Sequence, residues 1–93
     1  MVARNYRCHT GEIDLIAKDG ETLVFVEVKY RRSGRQGSAL QAVDMRKQRV
    51  LTKAASWYLA VQMGNVDISC RFDVVAFDGN KVTWIPNAFD ACF

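Results

Sequence analysis

The sequence predicts an α/β domain, a mixed five-stranded sheet crossed by one helix. Three observations predict it. Two Asp-Gly pairs, Asp19-Gly20 and Asp78-Gly79, follow stretches of strand-forming residues, and Asp-Gly between such stretches is the strongest short hairpin signal. A helical apolar period occupies residues 44–63, between two strand-like stretches. The run Val74-Val75-Ala76-Phe77 is continuously apolar, typical of a strand buried on both faces.

The elements follow in order. Met1–Cys8 reads as a first strand, and His9-Thr10-Gly11 turns it into a second, Gly11–Lys18. Lys18-Asp19-Gly20-Glu21 turns that into a third, Glu21–Tyr30, so three strands form an antiparallel meander. In the second strand, Glu12, Asp14 and Ile16 are expected on one face, with Ile13, Leu15 and Ala17 on the other. Tyr30–Gly37 holds three arginines and two glycines with no apolar period, and reads as a basic loop. Ser38 and Gln41 have the spacing of a capping box.

Asp44 caps the main helix, expected to run to about Met63 with Leu51, Ala54, Ala55, Tyr58, Leu59 and Val61 as its apolar stripe. Arg46, Arg49 and Lys53 fall on another face and read as solvated charge. Gly64-Asn65 ends the helix. Ser69–Phe77 is a fourth strand, parallel to the third through a right-handed crossover. Lys81–Ile85 is an edge strand closed by Pro86, and Asn87–Phe93 is expected to form a short helical tail packing Phe89.

The 93 residues make one domain, 1–93. A chain this short buries only about 60–65% of its unfolded surface, which leaves room for a partner chain. Thirteen basic against ten acidic residues give +3, a balance that tolerates nucleic acid without demanding it. No apolar run approaches the roughly 20 residues of a membrane span. Arg4 and Arg7 interrupt any early leader-like stretch, so no signal peptide is expected. Cys8, Cys70 and Cys92 are few and scattered, which fits a reducing cytoplasm better than a disulfide framework. Cys8 beside His9 has no CxxC partner and reads as ordinary strand-end residues rather than zinc ligands.

Chemistry concentrates at the end of the third strand. Glu27 and Lys29, two apart, share a face in a segment otherwise built for burial. Buried charge is costly unless paired or bound to a cation. The hairpin brings Asp14 within reach of Glu27, and two carboxylates converging beside a lysine suit a hard cation of the Mg²⁺ type. Such an ion activates water and stabilises charge on a phosphate. The arginines after the strand can grip phosphate bidentately. Asp73 reads instead as a structural group bonded to backbone or to Arg71.

Asp14 followed by Glu27-Val28-Lys29 resembles the Asp…Glu-x-Lys signature of the PD-(D/E)xK nuclease superfamily, the restriction-endonuclease-like fold shared with archaeal Holliday-junction resolvases. Within it the chain is similar to the YraN-like family of small bacterial proteins. The resembling segments are residues 4–7, 11–17, 24–29, 42–44 and 71–76, in order along nearly the whole chain. The resemblance implies a Mg²⁺- or Mn²⁺-dependent endonuclease acting on DNA, branched or junction DNA included. Asp14, Glu27 and the Val28 carbonyl would hold the metal, and Lys29 would orient water or stabilise developing charge. Arg31, Arg32, Arg35 and Lys47 would contact nucleic acid, Lys47 or Gln48 from the helix start could assist the site, and Glu12 is a further auxiliary residue. Relatives usually open with an amphipathic helix carrying a further glutamate. With that helix absent here, one sheet face is expected to be exposed or covered by another chain, and a homodimer is expected. The alternative is a non-catalytic nucleic-acid-binding module that keeps the nuclease fold. A third reading makes Glu27–Lys29 a strand-capping ion pair in an interaction domain.

Overall fold

The computed structural model describes residues 2–31, 43–65 and 68–90, with Arg31 in backbone only. Five strands form one sheet in the order β1-β2-β3-β4-β5, spanning Ala3–Cys8, Gly11–Asp19, Thr22–Arg31, Cys70–Asp78 and Lys81–Phe89. The β1–β2, β2–β3 and β4–β5 pairs are antiparallel, and β3–β4 is parallel in register from Leu23↔Cys70 to Arg31↔Asp78. The expected meander, parallel fourth strand and edge fifth strand are all present. The Ser38 capping box lies outside the described residues.

Helix α1, Met45–Tyr58, packs on one face of the sheet. Asp44 starts it, accepting the Lys47 backbone N–H at 2.9 Å and so satisfying one donor that the first turn leaves orphaned. Leu51, Ala54, Ala55 and Tyr58, together with Leu59, meet Ile13, Ile16, Leu23, Phe25, Phe72 and Val74. Tyr58 stands edge-on to both Tyr6 and Phe25, at centroid separations of 5.0 and 6.0 Å. A π-helical turn, Leu59–Met63, continues α1 to Gly64, whose φ of 66° ends it in the left-handed region that glycine adopts without strain. Val61, expected in the apolar stripe, lies on the exposed side of this turn. The wider π turn advances each residue less than the 100° that the stripe assumed.

Two departures from strict alternation shape the sheet. In β2, Ile13 and Ile16 both lie in the helix-side core, and in β1 Ala3 and Tyr6 both pack against it. Residues three apart cannot share a face of a regular strand. The β1–β2 ladder steps from Arg4↔Leu15 to Tyr6↔Ile13, over Asn5 and Asp14. Asn5 takes a φ of 54°, a left-handed conformation that Asn tolerates better than most residues, and both strands change face there. The expected grouping of Glu12, Asp14 and Ile16 on one face is therefore wrong.

At the other edge, β5 does not stop at Pro86. It runs through to Phe89, which stacks on Phe72 at 4.8 Å, so the expected helical tail does not begin at Asn87. Proline is tolerated because β5 is an edge strand. The ladder is irregular between Phe72 and Val74, and Asn87 has a φ of 50°. The Asp73 carboxylate bridges this break, taking the Asn87 N–H at 2.9 Å, the Trp84 Nε1–H at 3.0 Å and the Arg71 Nε–H at 3.0 Å. Its structural role agrees with the sequence reading.

Candidate functional site

The site lies where β2 and β3 part. Their ladder runs from Asp19↔Thr22 to Leu15↔Val26 and ends. Beyond it β3 stays paired with β4, so its edge toward β2 needs another acceptor. Asp14 supplies one, its Oδ2 accepting the Val28 N–H at 2.8 Å. The face change at Asn5 and Asp14 thus aims this carboxylate at β3 rather than along the ordinary pleat.

Glu27 follows Leu23 and Phe25 on the helix side of β3, and its side chain is 4% exposed. Its carboxyl group lies within hydrogen-bonding reach of that of Asp14. Burial, and next the hydrogen bond to Asp14, raise its pKa above the ordinary 4.5; Lys47 and Lys29 oppose the rise. Lys29 Nζ and Lys47 Nζ each lie 3.4 Å from Glu27 Oε2. Sequence spacing already placed Lys29 beside Glu27. Lys47 arrives from the first turn of α1, which Asp44 positions.

Asp14, Glu27 and Lys29 are thus brought together as expected. Lys47, expected to contact nucleic acid or to assist the site from the helix, approaches the buried carboxylate. Glu12 is not brought to the pair; it faces Arg7 across the β1–β2 ladder, 3.6 Å away, in a largely exposed ion pair. Gln48 donates from Nε2 to the Val43 carbonyl at 3.1 Å, buttressing the helix start. Arg32 and Arg35 lie outside the described residues, and so does the Arg31 side chain. Among the described residues no third carboxylate, histidine or thiolate completes a cluster with Asp14 and Glu27. Cys8 contacts Thr10 and the Gly11 carbonyl, while His9 stands edge-on to Trp57 at 4.4 Å.

Sequence reasoning missed Arg4, Asn5 and Tyr30, which line an open cleft of about 280 Å³ with Asp14, Leu15 and Val28. The available signal was an Asn inside a strand, which marks a possible left-handed residue. No described helix is long and apolar enough to cross a membrane.

Comparison with known proteins places the chain. It is 52% identical over 90 residues to a UPF0102 protein of Klebsiella pneumoniae, covering 96% of this chain and 70% of the relative. It is 51% identical over 91 residues to the UPF0102 protein YraN of Salmonella arizonae, covering 97% and 70%, and equally so to YraN of Salmonella newport. The family profile matches residues 1–77, and the chain belongs to the uncharacterised protein family UPF0102.

Proposed function

We propose that the chain is a divalent-metal-dependent phosphodiesterase of the PD-(D/E)xK type acting on DNA, branched and junction forms included. One observation carries the reading: two carboxyl groups, Asp14 bonded to the Val28 N–H and the buried Glu27 beside it, converge within hydrogen-bonding reach where the β2–β3 ladder opens. Like charges so placed are ordinarily kept for a cation or a proton. The donor set suits Mg²⁺ or Mn²⁺, which bind through one or two carboxylates and retain several waters. Asp14, Glu27 and the Val28 carbonyl would hold the ion. When bound, it lowers the pKa of water and stabilises charge on a phosphoryl oxygen.

The chain's own groups do the rest. The Asp14–Val28 hydrogen bond fixes the first carboxylate against β3. Burial keeps the second from water, which strengthens every interaction it makes. Lys29, on the same strand face as Glu27, is in position to orient water or meet charge developing on phosphate. Lys47 ties the helix to the site and holds Glu27 in one orientation.

The test is calorimetric titration of Mg²⁺ and Mn²⁺ into wild type and Asp14→Asn, then incubation with four-way, flapped and linear DNA. Metal binding that disappears in the variant, with metal-dependent cleavage in the wild type, supports the reading. A wild type that binds neither metal overturns it. That result would favour a non-catalytic nucleic-acid-binding module, for which one observation speaks: two ammonium groups already approach Glu27.

A further inference from the structure

The sheet face opposite α1 carries two features that the candidate site does not use. Leu23 and Phe25 lie in the helix-side core, so Val24, Val26, Val28 and Tyr30 alternate onto the other face of β3. Through the registers Tyr30↔Phe77, Phe77↔Val82 and Val75↔Trp84, that face continues across β4 and β5. Val24 and Val26 are covered, but Tyr30 is 81% and Trp84 59% exposed. Both rings are held in place. Tyr30 stacks on Phe77 at 5.1 Å and 13°, leaving its outer face to solvent. Trp84 is pinned by its Nε1–H bond to the buried Asp73.

Tyr30 shares a cleft with an exposed cation, Arg4, and the same cleft holds Asp14. Trp84 lines a second, of about 330 Å³, with Asp19, Val24, Val26, Arg71 and Asp73, where both carboxylates pair with Arg71. Among the described residues Arg4 is in no ion pair, whereas Arg7 and Arg71 are. The rings are two strand spacings apart, roughly 10 Å, and offset by about two residues along the strands. A fixed aromatic face beside an unpaired cation matches a base beside its phosphate.

We propose that this face is a single-strand platform: Tyr30 and Trp84 stack two unpaired bases, and Arg4 holds the phosphate beside Tyr30. The inference rests on the reading of the chain as acting on nucleic acid, and it specifies the substrate. The bases must be unpaired, because a ring on a sheet surface cannot stack on a base inside a duplex. The Tyr30–Arg4 cleft adjoins Asp14, so a strand seated there runs its backbone toward the two carboxylates. Single-stranded flaps and the opened arms of junctions provide such segments; blunt duplex does not.

The test uses the full chain and a fluorescein-labelled oligothymidylate of about 12 nucleotides, within the site sizes of sheet-based single-strand binders. Anisotropy titrations compare wild type, Tyr30→Ala, Tyr30→Phe and Arg4→Ala, with a blunt duplex of equal length alongside. Loss of one stacked base is expected to weaken strand binding about 10-fold in Tyr30→Ala, while Tyr30→Phe retains it. Arg4→Ala is expected to weaken binding and make its salt dependence shallower. In a Trp57→Phe background, Trp84 fluorescence should be quenched by the strand.

Strand binding by Tyr30→Ala within about two-fold of wild type, with Trp84 fluorescence unmoved, overturns the platform. Metal titration on the same samples then reports separately on Asp14 and Glu27. Wild type that binds metal but no strand overturns the platform alone; wild type that binds neither overturns both readings. Sedimentation of the free protein as a dimer that Tyr30→Ala converts to monomer assigns the face to a second copy and also overturns the platform.

Discussion

Asp73→Asn separates a structural carboxylate from a catalytic one. Asp73 is 2% exposed and accepts on both oxygens: Asn87 N–H and Arg71 Nε–H on Oδ1, Trp84 Nε1–H on Oδ2. Asparagine offers one acceptor oxygen and one donor amide in the same space. With its oxygen at the Oδ1 position, the amide faces the Trp84 N–H donor to donor. Flipped, the amide faces Asn87 N–H and Arg71. One partly buried N–H loses its acceptor in either orientation, and such a group costs about 1–2 kcal/mol when only part of it can rehydrate. The Arg71 end adds little, because its guanidinium reaches water and keeps Asp19 at 2.9 Å. A chain of this size has roughly 5–14 kcal/mol in all, so the variant still folds. Urea denaturation followed by circular dichroism should show a midpoint lower by about 1 M with unchanged slope. Metal titration of the folded variant should match wild type, because Asp73 lies with Arg71 and Trp84 rather than with Asp14 and Glu27. An unchanged midpoint refutes the bridging role. An unchanged midpoint together with lost metal binding would make Asp73 a ligand.

Three further outcomes are expected. Glu27 holds its proton to higher pH when folded than unfolded, so the folded chain binds more protons above pH 4.5; the stability from its neutral form is complete below that pH and declines as pH rises through the folded value. Melting temperature measured against pH should therefore fall less steeply in Glu27→Gln, and parallel curves would refute this. Lys47 opposes the rise of Glu27 more than Lys29 does, so Lys47→Met should move the Glu27 carboxyl titration, read by carbon NMR, further upward than Lys29→Met; the reverse order refutes the assignment. Gly11→Ala should cost about 1–3 kcal/mol in denaturant titration, because φ is +150° and the new Cβ would stand 2.6 Å from Val50 Cγ1. A variant as stable as wild type would refute that close approach.

Local chemistry made much of the fold legible. Asp19-Gly20 and Asp78-Gly79 fix two hairpins because few residue pairs accept those turn dihedrals. Asp44 and Gly64 mark both ends of the helical segment because a capping side chain and a left-handed residue meet needs of the helix backbone itself. The Glu27–Lys29 pair follows from a period of two in an unbroken strand. These are short-range constraints, and the sequence by itself determined them.

The rest depended on contacts between segments far apart in the chain. The face change at Asn5 and Asp14 breaks the period of two, so alternation misgrouped Ile16 with Asp14. Lys47 reached Glu27 because α1 crosses the sheet at that end, which no feature of its own turn specifies. The continuation of β5 past Pro86 depended on Asp73 bridging a broken ladder fourteen residues away. The cleft joining Arg4, Asp14 and Tyr30 draws on three strands at once. Tertiary structure alone decided these features, because each trades a local preference against a packing or hydrogen-bonding gain from a distant partner.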